Sequence, residues 1–291
     1  MNRIKTAALL ALMTALLITV GGAYGGRHGM MIMLFISLAM NFVTYWYSDK
    51  IVLKMYGGRV VTIHDEPKLV GMVAKLAQRA NMPMPKVYII EMDAPNAFAT
   101  GRDPEHAAVA ASYSIMRLLT DEELEGVMAH ELSHVKNRDT LISTVAASIA
   151  GVISYVAQMS QWAAIFGRRD DDDNGGIIGS LFTIILAPIA ASLIQMAISR
   201  SREYLADESG GELSGNPLAL ASALKKLEAY AKSPHGQMSA EQTATPATAN
   251  MFIINPFSGL GGVSKLFSTH PATAERVEKL EEQARRMRGM R

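Results

Sequence analysis

Residues 130–134 read His-Glu-Leu-Ser-His. Four residues advance an α-helix by about 400°, so His130 and His134 would lie one turn apart and within about 40° of each other around the axis. Both imidazoles can then reach one metal ion, and Glu131 stands beside it without ligating, placed to act as a general base. A catalytic zinc ion generally takes three protein ligands. The chain has no Cys, so the third must be His, Asp or Glu. Glu203 and Asp207, in Ser-Arg-Glu-Tyr-Leu-Ala-Asp at 201–207, are also four apart, and on a helix both carboxylates share a face. One suits the metal and the other the free ring nitrogen of a ligating His. From spacing alone, a solvated helix face fits them equally well.

These residues need elements to hold them. Thr120-Asp121-Glu122-Glu123 is a capping box that opens a helix running through about Asn137. Leu124, Val127, Met128 and Val135 are available to pack its other side. Pro67 to Asn81 carries apolar residues at helical spacing, with Asp65 as its cap. Lys86 to Glu91, Ala97 to Ala99 and Ala107 to Ser112 read as strands of a small sheet, with turns at Asp93-Ala94-Pro95 and Gly101 to Pro104. Asn216-Pro217 and His270-Pro271 each open a helix. Ser233 to Asn250, rich in Ala, Thr, Ser, Gln and Pro, reads as a mobile loop. His28, His64, His106 and His235 have no partner at ligand spacing and read as surface residues.

The apolar residues make up 49% of the chain, an ordinary average, but they fall in blocks. Thr6 to Gly26 and Gly29 to Ser48 carry no formal charge and are separated only by Arg27 and His28. About 20 apolar residues cross a hydrocarbon core as helix, so the pair reads as a hairpin of spans. Tyr45, Trp46 and Tyr47 would form its interfacial belt. The rival for the first block is a cleavable signal peptide, with small residues at Ala23 to Gly26. Leu141 to Gly167 and Ile177 to Ser199 are two further uncharged blocks, joined by a polar loop from Arg168 to Gly176. Their rival is a pair of buried helices in a soluble core.

Four spans divide the chain into a hairpin (1–48), a first catalytic segment (49–140), two further spans (141–199) and a closing catalytic segment (200–291). Arg3, Lys5, Lys50, Lys54, Arg59, Lys136, Arg138, Arg200 and Arg202 flank one side, against Arg27, Arg168 and Arg169 on the other. The richer side is expected in the cytoplasm, with both termini. The balance of 28 Lys+Arg to 27 Asp+Glu offers no basic domain for nucleic acid. The basic tail, Arg285 to Arg291, would suit anionic lipid or a solvated helix end alike.

HELSHVKNRDT, the later SREYLAD and the still later THPATAERVEKL together resemble the HtpX branch of the membrane zinc metallopeptidases, a superfamily that includes the CAAX prenyl proteases. PNAFATG at Pro95 to Gly101 is similar to that family's edge-strand segment, and the order of elements agrees over essentially the whole chain. The resemblance implies an α+β membrane protein, mostly helical, with about four transmembrane helices and a cytoplasmic zincin-like domain on a small β-sheet. It implies one Zn2+ per subunit held by His130, His134 and Glu203, with Glu131 as general base and acid. Asp207 would hydrogen-bond a ligating His, and Asn137 and Asp139 would either support the site from behind or serve a structural role. Asn96, Ala97, Phe98 and Ala99 would pair with the substrate backbone. His270 is a candidate oxyanion stabiliser, equally a helix-cap residue, and Tyr204 a weaker candidate.

By the same resemblance, the substrates would be unfolded or misassembled membrane proteins, cut at a cell inner membrane in quality control under stress. The partners would be the lipid bilayer and these proteins, with a homo-oligomer left open. A CAAX-type processing protease is disfavoured by the four-span layout. Cutting within the bilayer is disfavoured by the charges around the motif, Asp121, Glu122, Glu123, Lys136 and Arg138. A non-catalytic, zinc-stabilised membrane scaffold would have no need of Glu131.

Overall fold

The computed structural model describes residues 2–143, 145, 200–243, 252–254 and 271–289. The first helix, α1 (Asn2–Met55), is two antiparallel arms joined at Gly26, whose φ of 54° and ψ of −142° interrupt the helix. Only glycine adopts that conformation at little cost. Beside the turn, Gly21 and Gly29 meet backbone to backbone, and a Cβ on either would collide with the other's carbonyl oxygen. Farther along, Asn41 Nδ2 donates to Thr14 Oγ1 (2.9 Å) and Leu10 O (3.3 Å), which pins the register of the arms. Leu9, Met13, Leu17 and Val20 recur at helical spacing and are buried, whereas Phe35, Leu38 and Phe42 of the second arm are exposed. The two apolar blocks therefore pack together as a helical hairpin. Among the described helices, the segment Gly25–Tyr47 is long and apolar enough to cross a membrane, and Thr6–Gly22 is apolar but shorter.

The second arm continues past Ser48 to Met55, beyond the expected boundary. Packing explains the extension: Val52 and Leu53 are buried against Ile90, Phe98, Ala108 and Ala110 on one face of the sheet. That sheet has four strands, β1 (Arg59–Val61), β2 (Lys86–Ile90), β3 (Ala97–Thr100) and β4 (Ala108–Ser112), in the order β1-β2-β4-β3. β2 and β4 are parallel, and the outer pairs are antiparallel. β1 was not expected, because three residues are too few to show an alternation of apolar and polar side chains. β3 is an edge strand.

On the other face, Val87, Ile89, Val109 and Ala111 join a core with helices α2 (Pro67–Arg79), α4 (Asp121–Lys136) and α6 (Pro217–Lys232). A short α3 (Tyr113–Leu118) leads from β4 towards α4. α5 (Arg200–Ser214), α7 (Pro234–Thr243) and α8 (Thr273–Gly289) complete the described elements. Asp65 does not cap α2: its carboxylate accepts from the Thr62 N–H and hydroxyl and holds the preceding turn, and Glu66 takes the cap position. The stretch read as a mobile loop from Ser233 is helical over 234–243. Ser233 Oγ accepts the Gly236 N–H at 3.1 Å, and Ser239 and Ala240 are buried. A polar, Ala-rich composition hid a helix that tertiary packing stabilises. Residues 146–199, which hold most of the last two apolar blocks and their polar loop, lie outside the described residues, as does His270.

Candidate active site

α4 starts where its capping box says it should. Thr120 Oγ1 accepts the Glu123 N–H (3.3 Å), and the Glu123 carboxylate accepts the Thr120 N–H (2.9 Å). Glu123 also receives Lys226 Nζ and Ser222 Oγ of α6, each at 2.7 Å. Burial opposes its ionisation, yet these donors hold its carboxyl below the usual range. The N-terminus of α4 is thus tied to α6. Nearer its C-terminus α4 meets α5, through a glycine. A Cβ on Gly210 would sit 2.8 Å from His130 N, so only a residue without one lets the two backbones approach.

That approach places Glu203 and Asp207 opposite the two histidines. His130 Nε2 and His134 Nε2 are 3.2 Å apart. Glu203 Oε1 is 3.5 Å from His134 Nε2, and Oε2 is 3.8 Å from His130 Nε2. Ligands about 2.0–2.1 Å from a tetrahedral ion lie roughly 3.3 Å from one another, so the three side chains fit a zinc ion. The outer ring nitrogens fit as well. His130 Nδ1 is 2.9 Å from Asp207 Oδ1, and His134 Nδ1 is 3.5 Å from Asp139 Oδ2. Each histidine therefore turns Nε2 inward and Nδ1 towards a buried carboxylate, an arrangement that orients metal-ligating imidazoles. Burial opposes protonation of His134, but Asp139, Glu203 and Glu131 outweigh it and push its pKa up to about 9.

Glu131 lies in the same cluster, and burial pushes its carboxyl up, against the nearby histidines, which favour its charged form. Its Oε2 accepts the Ala99 N–H of β3 at 2.9 Å. In an antiparallel pair the main-chain groups alternate in direction, so those of Ala97 and Ala99 point away from β4 and those of Phe98 and Thr100 point into it. Glu131 therefore sits beside the outward-facing main chain of the edge strand. Thr140 Oγ1, just past α4, donates to Gly101 O at 2.8 Å and holds the end of that strand.

The remaining expected site residues are placed as follows. Asn96 is fully buried, its Oδ1 accepting the Ile253 N–H (3.3 Å) and its N–H going to Ser112 Oγ (3.0 Å). Phe98 turns to the opposite face of the sheet, with its ring 5.5 Å from that of Tyr56. Asn137 ends α4, its N–H reaching Ser133 O. Tyr204 is not brought into the cluster, because its hydroxyl donates to Glu275 of α8 and its ring lies under Lys279. His28, His64, His106 and His235 are exposed.

Arg276 was missed. It is fully buried, and its Nε and Nη2 each reach the Asp207 carboxylate at 2.7 Å, while Nη1 donates to Ile253 O. Although burial opposes it, this charge keeps Asp207 ionised below the usual range. The signal was present: Arg276 falls beside Val277 and Leu280 on the apolar face of α8, where an unpaired charge would be costly.

The model of peptidase family M48 matches residues 64–284. "Protease HtpX homolog" of Paraburkholderia phytofirmans is 55% identical over 285 residues, covering 98% of each chain. The protein of the same description from Thermococcus kodakarensis is 52% identical over 286 residues, covering 98% of this chain and 97% of that one. Among solved structures, that of S. mikatae Ste24p matches with a TM-score of 0.51 at 18% identity, and at that identity the likeness is one of fold. It covers 94% of this chain, which spans 62% of the Ste24p chain. The matched family spans both halves of the histidine–carboxylate cluster, and the relatives extend the match across the apolar hairpin: the chain belongs to peptidase family M48, in its HtpX branch.

Proposed function

We propose that this chain is a membrane-anchored zinc metalloendopeptidase that cuts unfolded or misassembled membrane proteins on the cytoplasmic face of a cell inner membrane. The observation that carries the peptidase reading is Glu131: a buried carboxylate inside the His130–His134–Glu203 cluster, held by the main chain of an edge strand. Bound by His130, His134 and Glu203, zinc supplies Lewis-acid activation of water and of the scissile carbonyl. Asp207 and Asp139 keep the two imidazoles in the ligating orientation. The Ala99 N–H occupies Glu131 Oε2 and leaves Oε1 to take a proton from the attacking water and pass it to the leaving amine. A raised carboxyl pKa suits a group that must do both.

An extended substrate added beside β3 would pair with the outward main chain of Ala97 and with the Ala99 carbonyl, because the Ala99 N–H is held by Glu131. Recognition through main chain explains a preference for unfolded segments over a particular sequence. Anchoring rests on the hairpin, whose second arm is long and apolar enough to cross a bilayer. A quality-control role, four spans and the cytoplasmic orientation belong to the same proposal.

The test is zinc add-back to the chelator-treated full chain in detergent, with an unfolded membrane protein as substrate. The wild type should regain cleavage, and Glu131→Gln should bind zinc equally but cut about 10²–10⁴-fold more slowly. Equal cutting by both proteins would sink the mechanism.

A further inference from the structure

Between the end of the second arm of α1 and the β3–β4 connection lies an open cleft of about 580 Å³ that the proposed reaction does not use. Phe42, Trp46 and Lys50 of α1 form one wall, and Lys86 at the start of β2 and Arg102 after β3 form the other. The Arg102 guanidinium lies over the Trp46 ring, 4.4 Å from its centroid, and its Nε is 3.4 Å from Asp103. His106, also at the cleft, is held by Asp103 through its ring nitrogen at 2.6 Å. Asp49 and Glu105 line the cleft too, so the cations Lys50, Lys86 and Arg102 share it with two carboxylates.

Position and chemistry converge here. Phe42 and Trp46 are 58% and 44% exposed at the close of the apolar segment Gly25–Tyr47. Aromatic side chains at the end of a span sit at headgroup level, and cations just beyond them sit where lipid phosphates lie. The volume is that of a small-molecule site. Arg and Lys are the usual partners of phosphate oxygens, and the mixed lining also accepts a headgroup that carries an ammonium.

We propose that this cleft seats the phosphodiester headgroup of a membrane glycerophospholipid. Lys50, Lys86 and Arg102 face its phosphate, and Phe42 and Trp46 lie against the first methylenes of its acyl chains. The apolar wall selects a lipid over free phosphate, which would meet the same cations without that contact. Arg102 follows directly on Gly101, whose carbonyl is held by Thr140 at the end of the edge strand. A bound lipid would thus hold the substrate-pairing strand at headgroup level, next to segments emerging from the bilayer. The inference rests on the membrane-anchored reading above.

The experiment uses the full chain carrying Glu131→Gln, to slow any self-digestion, in detergent micelles doped with phosphatidylethanolamine, phosphatidylglycerol or diacylglycerol. Native mass spectrometry counts the lipids retained. Both phospholipids should be retained over diacylglycerol. Lys86 is exposed, so Lys86→Ala should leave the fold intact while lowering retention about fivefold, and adding Arg102→Ala about fivefold again. Lys86→Arg should restore it, and Lys68→Ala, on the exposed surface of α2, should change nothing. Equal retention by all the variants, no preference over diacylglycerol, or full displacement by millimolar inorganic phosphate would overturn the site. Failure of the anchoring reading shows separately, as release of the wild-type chain from membranes by alkaline carbonate.

Discussion

Asp207 serves two partners at once: Oδ1 faces His130 Nδ1, and both of its oxygens are gripped by Arg276. A carboxylate buried this deeply stays charged only because Arg276 compensates it. Asp207→Asn keeps the shape but weakens both contacts. Zinc affinity, followed by competition with a chromogenic chelator, should fall about 10–100-fold, as for other groups that support metal ligands. Unchanged affinity would show that His130 is oriented by packing alone. Glu203→Ala belongs beside it as the removal of a proposed ligand, and should cost more affinity than Asp207→Asn does.

At the scale of elements, the active-site helix is held at both ends. Gly210 admits α5 against His130, and Glu123 fastens the first turn to Lys226 and Ser222 of α6. Because the folded state depresses the pKa of Glu123, its contribution is complete above the ordinary carboxylate value of 4.5 and is lost as pH falls through the depressed one. Glu123→Gln retains an acceptor for the Thr120 N–H but loses the charge. The variant should be less stable by about 1–2 kcal/mol at pH 7, a modest figure because Lys226 is half-exposed. That gap should narrow as pH falls below 4.5. Urea titrations at pH 7 and at pH 3.5 measure it, and a gap independent of pH would mean that the ion pair contributes nothing.

For the whole molecule, the hairpin does more than the anchoring proposed for it, because Val52 and Leu53 cover one face of the sheet. Truncation before Asp49 should leave that cover in place, whereas truncation before Arg59 strips it from Ile90, Phe98, Ala108 and Ala110. Two buried aliphatic side chains contribute about 3–6 kcal/mol, so the shorter protein should melt well below the longer one in the same detergent. Coincident melting would mean that the interface adds no stability. Orientation is tested independently: a reporter fused after Arg291 should signal from the cytoplasm, and a signal from the opposite side would reverse the proposed topology.

The sequence by itself determined what is local. HExxH fixes two histidines one turn apart, Thr120 and Glu123 mark where their helix begins, and Glu203 and Asp207 share a face through the same periodicity. Such relations depend on a few dihedral angles and survive in any fold. The hairpin was legible for the same reason, as two apolar blocks joined by a linker too short for anything else. Three outcomes depended on contacts between residues far apart in the chain, and only the tertiary structure decided them. Arg276 reaches Asp207 across 69 positions. Glu131 Oε2 finds the Ala99 N–H only because β3 is the outer strand, a matter of sheet order. Tyr204, one residue from Glu203, is carried about 100° around the helix towards Glu275 and out of the site. Spacing says which side chains can face the same way, and packing selects what they face.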